Sequence, residues 1–383
     1  MEKKAVLHYF HIAFCICCMN RTHQLEETLL QNIQDNDDYD KLEFILLDYN
    51  STDHMEVWVK NCLSKYIDSG RLKYYKTDEP VFFNHSHAKN LVFKLSDADI
   101  VCNINCDHYT GKGFANFIND AYNENPDIVI TPIPADIYNK TLRTPPSELW
   151  GKVCVKKSDF LAVGGFDERM IKYGNDDIDF INRLAANGTK KNPLIEEQFW
   201  KYISHGDEIR HSSKEKVNKV VRVLVNYNDP ASSTLIFLFI DGHFEHFTVI
   251  DNTLTSADNY FYSFHYRDFN YLYSIKDLNW LIGSFIEHSD HLILNYLTGT
   301  TNVLDEGWTA EVNVFEDKNK KIRYHVLTDV ETINAITTLD YVYYNLNIML
   351  KNLSDKIIKV NNGCFGEAKV YKNFDYKTPI VVN

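Results

Sequence analysis

Phe44-Ile45-Leu46-Leu47-Asp48-Tyr49-Asn50-Ser51-Thr52-Asp53 passes in one step from a continuous apolar run to a run of turn-forming polar residues. An apolar run without alternation is what a strand needs when both its faces are covered, as in a parallel sheet between helices. Upstream, Ile12 to Met19 is a second such run, closed by Asn20-Arg21-Thr22 and followed by a helical pattern through Leu25, Leu29, Leu30 and Ile33. Downstream come a helix through Val57, Cys62 and Tyr66, a short strand at Leu72-Tyr74-Tyr75 and a helix over 87–95. A strand at Ile100-Val101-Cys102-Asn103-Ile104 then stops at Asn105-Cys106-Asp107, before a helix over 113–123 and a strand at Ile128-Val129-Ile130. This alternation predicts an α/β domain with a mainly parallel central sheet, in which ligands bind beyond the carboxyl ends of the strands. Three such ends carry ligand-ready groups: Asn20-Arg21, Asp48 to Asp53, and Asn105 to His108. Each alone is also an ordinary turn.

From about 217 onward the pattern changes. Aromatic and β-branched runs appear at 220–226, 234–250, 259–273, 292–297, 308–315 and 322–328, with one helical interruption near Leu339 to Leu353. The expected organisation is an α/β domain over 1–214 and a β-rich C-terminal domain over 215–383. For the second domain, acceptor binding, self-association and contact with other enzymes all stay open.

The chain has 383 residues, a formal charge of −13, 44% hydrophobic and 24% charged residues, all ordinary for a folded protein except the acidity. That acidity argues against nucleic acid as the partner, because such binding is driven by basic patches. No run approaches the ~18 apolar residues of a membrane span. Met1-Glu2-Lys3-Lys4, followed by a short apolar stretch broken by His8 and His11, lacks a secretory-leader pattern. The eight cysteines show no disulfide framework; Cys15, Cys17 and Cys18 lie in one apolar run and read as reduced core thiols. A cytoplasmic protein is expected, with the inner membrane surface as a peripheral location.

The chemistry concentrates at Gly164-Gly165-Phe166-Asp167-Glu168 and Tyr173-Gly174-Asn175-Asp176-Asp177-Ile178-Asp179. Residues 176–187 read as a helix with Ile178, Ile181, Leu184 and Ala185 inward and Gly188 as its stop. Asp176 and Asp177 then fall in its first turn, where the helix dipole favours anions by ~0.3–1 kcal/mol. Dipole complement explains one acid well; a cluster behind a glycine turn also suits proton abstraction from a sugar hydroxyl.

The ordered set resembles nucleotide-sugar glycosyltransferases of the GT-A type, in the family 2 and β-1,4-galactosyltransferase-like group, over about residues 10–214. Asp48 to Asp53 stands where that group has Asp-Asp-Gly-Ser-Thr-Asp, His87-Ala88-Lys89-Asn90 for its Ala-Arg-Asn, and Asn105-Cys106-Asp107 at its Asp-x-Asp metal position. Gly165-Phe166-Asp167-Glu168 with Tyr173 to Asp179 is similar to the galactosyltransferase Gly-Phe…Trp-Gly-Gly-Glu-Asp-Asp-Asp segment, and Ile209-Arg210-His211-Ser212 to its Ile-Arg-His-Ser.

The resemblance implies Mn2+ (or Mg2+) held by Asp107 and His211, with Glu208 where the galactosyltransferases have a methionine ligand. It further implies Asp48 on the uracil imide, Asn20, Arg21 and Asn105 on the donor, Asp176 on an acceptor hydroxyl, Tyr173 stacking on the acceptor sugar, and Asp177 as general base. Lys89 is a candidate for the diphosphate, or a solvated helix lysine; Asn84 and His87 are weaker neighbours. Asn105 departs from the family acid, and His108 resembles the Asp-x-His arrangement of polypeptide N-acetylgalactosaminyltransferases. Spacing leaves open whether Asp107 pairs with His108 or with His211. The implied activity is inverting transfer of a hexose or N-acetylhexosamine, galactose or N-acetylgalactosamine favoured, from a UDP-sugar to a saccharide acceptor of a bacterial surface glycan. A catalytically silent nucleotide-sugar-binding or scaffold protein is the alternative. A sugar nucleotidyltransferase would want a Gly-rich basic loop after the first strand, and Cys17-Cys18-Met19-Asn20-Arg21 is not one.

Overall fold

The computed structural model describes residues 8–80, 82–133, 145–204, 220–229, 232–251, 262–266, 269–274, 281–289, 291–297, 301–308, 313–328, 333 and 344–383. The chain divides into two units, Met1–Ser213 with Ile348–Asn383, and Lys214–Asn347.

The first unit alternates β1 (Ile12–Cys18), α1 (Thr22–Asp35), β2 (Leu42–Tyr49), α2 (Met55–Cys62), α3 (Ser64–Asp68), β3 (Leu72–Thr77), α4 (His85–Lys94), β4 (Ile100–Asn103) and α5 (Phe114–Glu124). It continues through β5 (Ile128–Thr131), β6 (Cys154–Lys156), α6 (Lys157–Ala162), α7 (Asp176–Ala186) and β7 (Lys190–Pro193). The strands lie in the order β3-β2-β1-β4-β6-β5-β7. The pairs β3–β2, β2–β1, β1–β4 and β5–β7 are parallel, and β6 runs antiparallel between β4 and β5. The central strands are apolar throughout because both faces are covered. Ile12, Phe14 and Ile16 of β1 pack with Leu25, Leu29, Met55 and Phe114 from α1, α2 and α5, while Ala13 and Cys15 pack with Ala88, Leu91, Phe180 and Leu184 from α4 and α7. Each Leu, Ile or Phe so buried contributes about 1.5–3 kcal/mol. The parallel register pairs Cys18 with Asp48 and Cys15 with Asn103, so the polar ends of β1, β2 and β4 open on one edge.

The second unit is antiparallel: β8 (Val220–Asp229), β9 (Ser232–Phe239), β10 (His243–Asp251), β11 (Tyr262–Tyr266), β12 (Phe269–Ser274), β13 (Leu281–Glu287), β14 (His291–Tyr296), β15 (Thr301–Trp308), β16 (Asn313–Asp317) and β17 (Ile322–Leu327). The ring β10-β13-β14-β15-β16-β17-β8-β9 closes on itself through the β9–β10 pairing, forming a barrel that leaves no free edge within the ring. Leu224, Leu238, Phe244, Leu294, Leu304 and Phe315, from six of these strands, meet in one apolar cluster. A helix at 344–354 follows. No helix among the described residues is long and apolar enough to cross a membrane.

The β-rich reading of 215–383 needs correction at its far end. Ile348–Asn383 groups with the first unit, where β18 (Ala368–Lys372) pairs antiparallel with β3 and β19 (Asp375–Val382) forms the sheet edge. Val370 and Ala368 join the core of α4 and α7, which is why these strands pair there.

Gly164 and Gly165 both sit at positive φ, 74° and 71°. A Cβ on Gly165 would strike Asn90 Oδ1 and approach the Phe365 ring to 2.8 Å. Gly165→Ala should therefore destabilise the first unit by about 2 kcal/mol or more, from left-handed strain plus the clash, and lower its thermal midpoint. An unchanged melting curve would contradict this.

Candidate active site

Asn20, at φ 58°, bends the chain as it leaves β1. Its Oδ1 accepts from the Thr52 backbone N–H at 2.6 Å, and its own N–H donates to Ser51 Oγ at 3.1 Å. Asp53 Oδ2 accepts from Thr22 N–H at 3.0 Å, satisfying an orphan donor in the first turn of α1. The loops after β1 and β2 are thus one hydrogen-bonded unit. Asp48 is buried beneath it, accepting from Tyr74 Oη–H at 2.7 Å and Ser51 N–H at 2.8 Å. Burial pushes its carboxyl up, and these hydrogen bonds oppose the shift. Asp48 here serves the turn.

A cavity opens beside these loops. Arg21, Lys89, Asn105, Asp107 and Tyr173, which are far apart in sequence, all line it, as do Phe83, His85 and Glu148. The loop carrying Asp107 is pinned from behind. Ile203 N–H donates to the Asp107 carbonyl at 2.8 Å, and the buried Lys152 Nζ donates to the carbonyls of Tyr109 and Phe199 at 2.8 and 2.6 Å. Asn105 Oδ1 accepts from Asn103 Nδ2 at 2.9 Å.

His108 is fully buried, and burial lowers its pKa to about 4, so the ring is neutral. Its Nε2 lies 3.7 Å from Asp107 and 3.0 Å from the Glu148 carbonyl. A carbonyl only accepts, so Nε2 carries the proton and has no lone pair for a cation. The neutral ring then keeps its lone pair on Nδ1, which is buried without a hydrogen-bond partner among the described residues. Glu208 and His211 lie outside the described residues. Among the described residues no three His, Cys, Asp or Glu side chains converge as a metal cluster. Asp107 remains the one described carboxylate of the expected ligand set, a hard oxygen donor suited to Mn2+ or Mg2+.

The acidic segment sorts into two functions. Asp167 is held by the Arg169 fork at 2.9 and 2.6 Å, and Asp179 by Arg183 Nε at 2.7 Å. Asn352 Nδ2 donates to both, at 3.0 and 2.9 Å. These two acids build the frame. Asp176 and Asp177, in the first turn of α7, instead receive the Lys89 ammonium at 2.8 and 2.6 Å. Burial raises the Asp176 pKa, but Lys89 and then His85 outweigh it and the group ends low. Burial pushes Asp177 up to about 7, with Lys89 opposing and Asp176 adding to the rise. The Asp177 side chain keeps 17% exposure, enough for an incoming hydroxyl. Tyr173 meets His85 edge-on, ring centroids 5.7 Å apart.

Residues the sequence reading missed include His85, one helical turn before Lys89 and on its face, which the i, i+4 spacing could have flagged. Asn361 and Asn352, which arrive after the barrel, carried no local signal. Asn361 donates to the carbonyls of Gly164 and Phe166, both at 2.7 Å, and Asn90 grips Phe166 and Glu168 from α4.

Residues 13–186 match the family profile described as Glycosyl transferase family 2. No curated protein sequence matches the chain. Among solved structures, the mannosyltransferase PcManGT from Pyrobaculum calidifontis, in complex with GDP-Man and Mn2+, is 22% identical, with 49% of this chain and 56% of that one covered and a TM-score of 0.40. S. aureus TarS 1-349 in complex with UDP is 15% identical, covering 53% of this chain and 62% of that one, TM-score 0.40. Glucosyl-3-phosphoglycerate synthase from Mycobacterium tuberculosis, with Mn2+, UDP and phosphoglyceric acid, is 15% identical, covering 54% and 75%, TM-score 0.37. The chain thus spans less than two thirds of the first two.

Removing Asn352 leaves two buried carboxylates each short of a donor. Asn352→Ala should cost about 1–3 kcal/mol of stability, read as a lower denaturation midpoint, with Asn352→Asp worse still because it adds a third negative charge.

Proposed function

We propose that this chain, whose residues 13–186 match the glycosyl transferase family 2 profile, is an inverting, metal-dependent hexosyltransferase using a UDP-sugar and a saccharide acceptor. The observation that carries this reading is the gathering of Arg21, Lys89, Asn105, Asp107 and Tyr173 around one cavity, with Asp177 tied to it through Lys89. Arg21 supplies positive charge for a diphosphate, and Asn105 an amide for the donor sugar or ribose. Asp107 would hold the divalent ion, with Glu208 and His211 as the further ligands that the family resemblance supplies. Such an ion neutralises a nucleoside diphosphate and stabilises it as a leaving group.

Asp177 takes the proton from the acceptor hydroxyl, whose oxygen forms the new bond to the anomeric carbon as the bond to the diphosphate oxygen breaks. The electron pair leaves on UDP. One displacement inverts the centre, so an α-linked donor gives a β-linked product. Tyr173 presents an aromatic face to the sugar's apolar C–H side, and Asp176 holds a second acceptor hydroxyl. Galactose or N-acetylgalactosamine is preferred because the segment 165–179 resembles the galactosyltransferases; synthesis of a bacterial surface polysaccharide on the cytoplasmic side is the setting. A screen of UDP-sugars with manganese, scoring hydrolysis and thermal shift, tests donor and activity together.

Asp177→Asn should cut transfer by about 10²–10⁴-fold while UDP affinity, measured by calorimetry, stays within about twofold. A base must be deprotonated to act, so wild-type transfer should rise with pH through about 7 and fall away below it. Transfer at the wild-type rate in the variant removes Asp177 from the mechanism. Asp107→Ala should weaken manganese-dependent UDP binding by about tenfold or more; equal affinity with metal present would refute that role.

A further inference from the structure

Gln24, Thr28, Asn32 and Asn36 recur at every fourth position along α1 and its C-terminal end, so they share one face, and all are buried. The neighbouring stripe of Leu25, Leu29 and Ile33 packs into the core beneath the sheet. The polar stripe instead grips the loop that carries Asp107. Thr28 Oγ1 donates to the Cys106 carbonyl at 2.7 Å, and Asn32 Nδ2 to the His108 carbonyl at 2.9 Å. Asn32 Oδ1 accepts from the Thr110 N–H at 2.7 Å, Asn36 Nδ2 donates to Thr110 Oγ1 at 2.9 Å, and the Cys106 thiol donates to Gln24 Oε1 at 3.4 Å. The opposite edge of the loop is held as well. Tyr109 N–H donates to the Lys201 carbonyl at 3.1 Å and Ile203 N–H to the Asp107 carbonyl at 2.8 Å, while Lys152 Nζ donates to the Tyr109 and Phe199 carbonyls. Every carbonyl from Cys106 to Tyr109 thus accepts from a donor of the protein itself.

A buried segment outside regular secondary structure needs partners for its backbone, and that need accounts for some of these contacts. It does not require both edges to be closed around the residue whose side chain lines the cavity. We propose that Gln24, Thr28, Asn32, Asn36 and Lys152 are positioning residues that fix the backbone of Asp107 before any ion or donor arrives, and so set which divalent ion the site prefers. This rests on the reading of Asp107 as a ligand of that ion. Mg2+ and Mn2+ favour octahedral oxygen sites, with short bonds for Mg2+, whereas Ca2+ accepts longer bonds and a variable number of ligands. A carboxylate on a fixed backbone suits the first kind. Loosening the loop costs such ions more than calcium.

The test is calorimetric titration of the full chain with UDP, first after chelation and then with Mn2+ or Ca2+. Wild type should gain more affinity from Mn2+ than from Ca2+. Lys152→Met should lose about tenfold or more of the manganese gain. Thr28→Val, which keeps the shape and removes the hydroxyl, should lose about threefold. UDP affinity without metal and the smaller calcium gain should both hold, a change of selectivity that a merely structural role would not produce. If Lys152→Met does not fold, Thr28→Val decides, together with hydrogen exchange on wild type, where the Tyr109, Thr110 and Ile203 amides should already be protected without ion. Protection that appears only when Mn2+ and UDP are added overturns the inference. Equal gains from the two ions in wild type, or an unchanged manganese-to-calcium ratio in the variants, overturn it too, and leave the proposed function standing where Asp107→Ala still loses the manganese gain. A wild type that gains nothing from Mn2+ overturns both.

Discussion

A lysine at 6% exposure stays charged only beside anions, and Lys89 meets that condition by standing between Asp176 and Asp177. Taking an ammonium out of water without a partner costs several kcal/mol, and two carboxylates side by side resist ionising together. Neither half of the arrangement is tolerable without the other. The triad therefore fixes the start of α7 against the middle of α4. Because the same lysine reaches the cavity bearing Asp107, that constraint also puts the acid pair and the strand-end loops at one place.

A shared lysine can hold this geometry only if the backbone behind it does not drift. Gly165 lies so close to Asn90 that no side chain fits between them, and Asn90 closes the contact with hydrogen bonds to Phe166 and Glu168. Residues beyond the barrel complete the clamp: Asn352 joins Asp167 to Asp179, Asn361 satisfies the carbonyls of Gly164 and Phe166, and Gly366 N–H donates to Glu168 at 2.6 Å. The barrel's sequence is thus inserted within the unit that bears the site. The last stretch of chain is a working part of that site's support.

Much of the α/β unit was legible because its strands are covered on both faces and so read as unbroken apolar runs ending in turn formers. Helix α7 was legible through Ile181, Leu184 and its glycine stop. Ala185, expected inward, is exposed, and Phe180 is buried in its place, because the stripe is set by α7's packing on α6 and the sheet. The return of 348–383 was not, since Asn352 and Asn361 form their contacts across long sequence separations and nothing local marks a residue that pairs with a turn nearly two hundred positions earlier. Asp48 was legible as a strand-end acid, but backbone position alone does not reveal that Tyr74, on the adjacent strand, donates to one of its oxygens. Lys89 was visible as a cation near a helix start, but its partners depend on how two helices pack.

The acids of this unit divide by how many donors the protein itself has given them. Asp48, Asp53, Asp167 and Asp179 each accept at least two hydrogen bonds from backbone or fixed side chains, and a carboxylate so satisfied gains little from a new partner and would leave those donors stranded if it moved. Asp176 and Asp177 differ, sharing one long, flexible lysine in place of a planar fork. An ion pair to a side chain with four rotatable bonds can be exchanged for another anion at small cost in geometry. In a run of acids that look alike in sequence, Asp176 and Asp177 are thus set apart by a shared partner that can be exchanged.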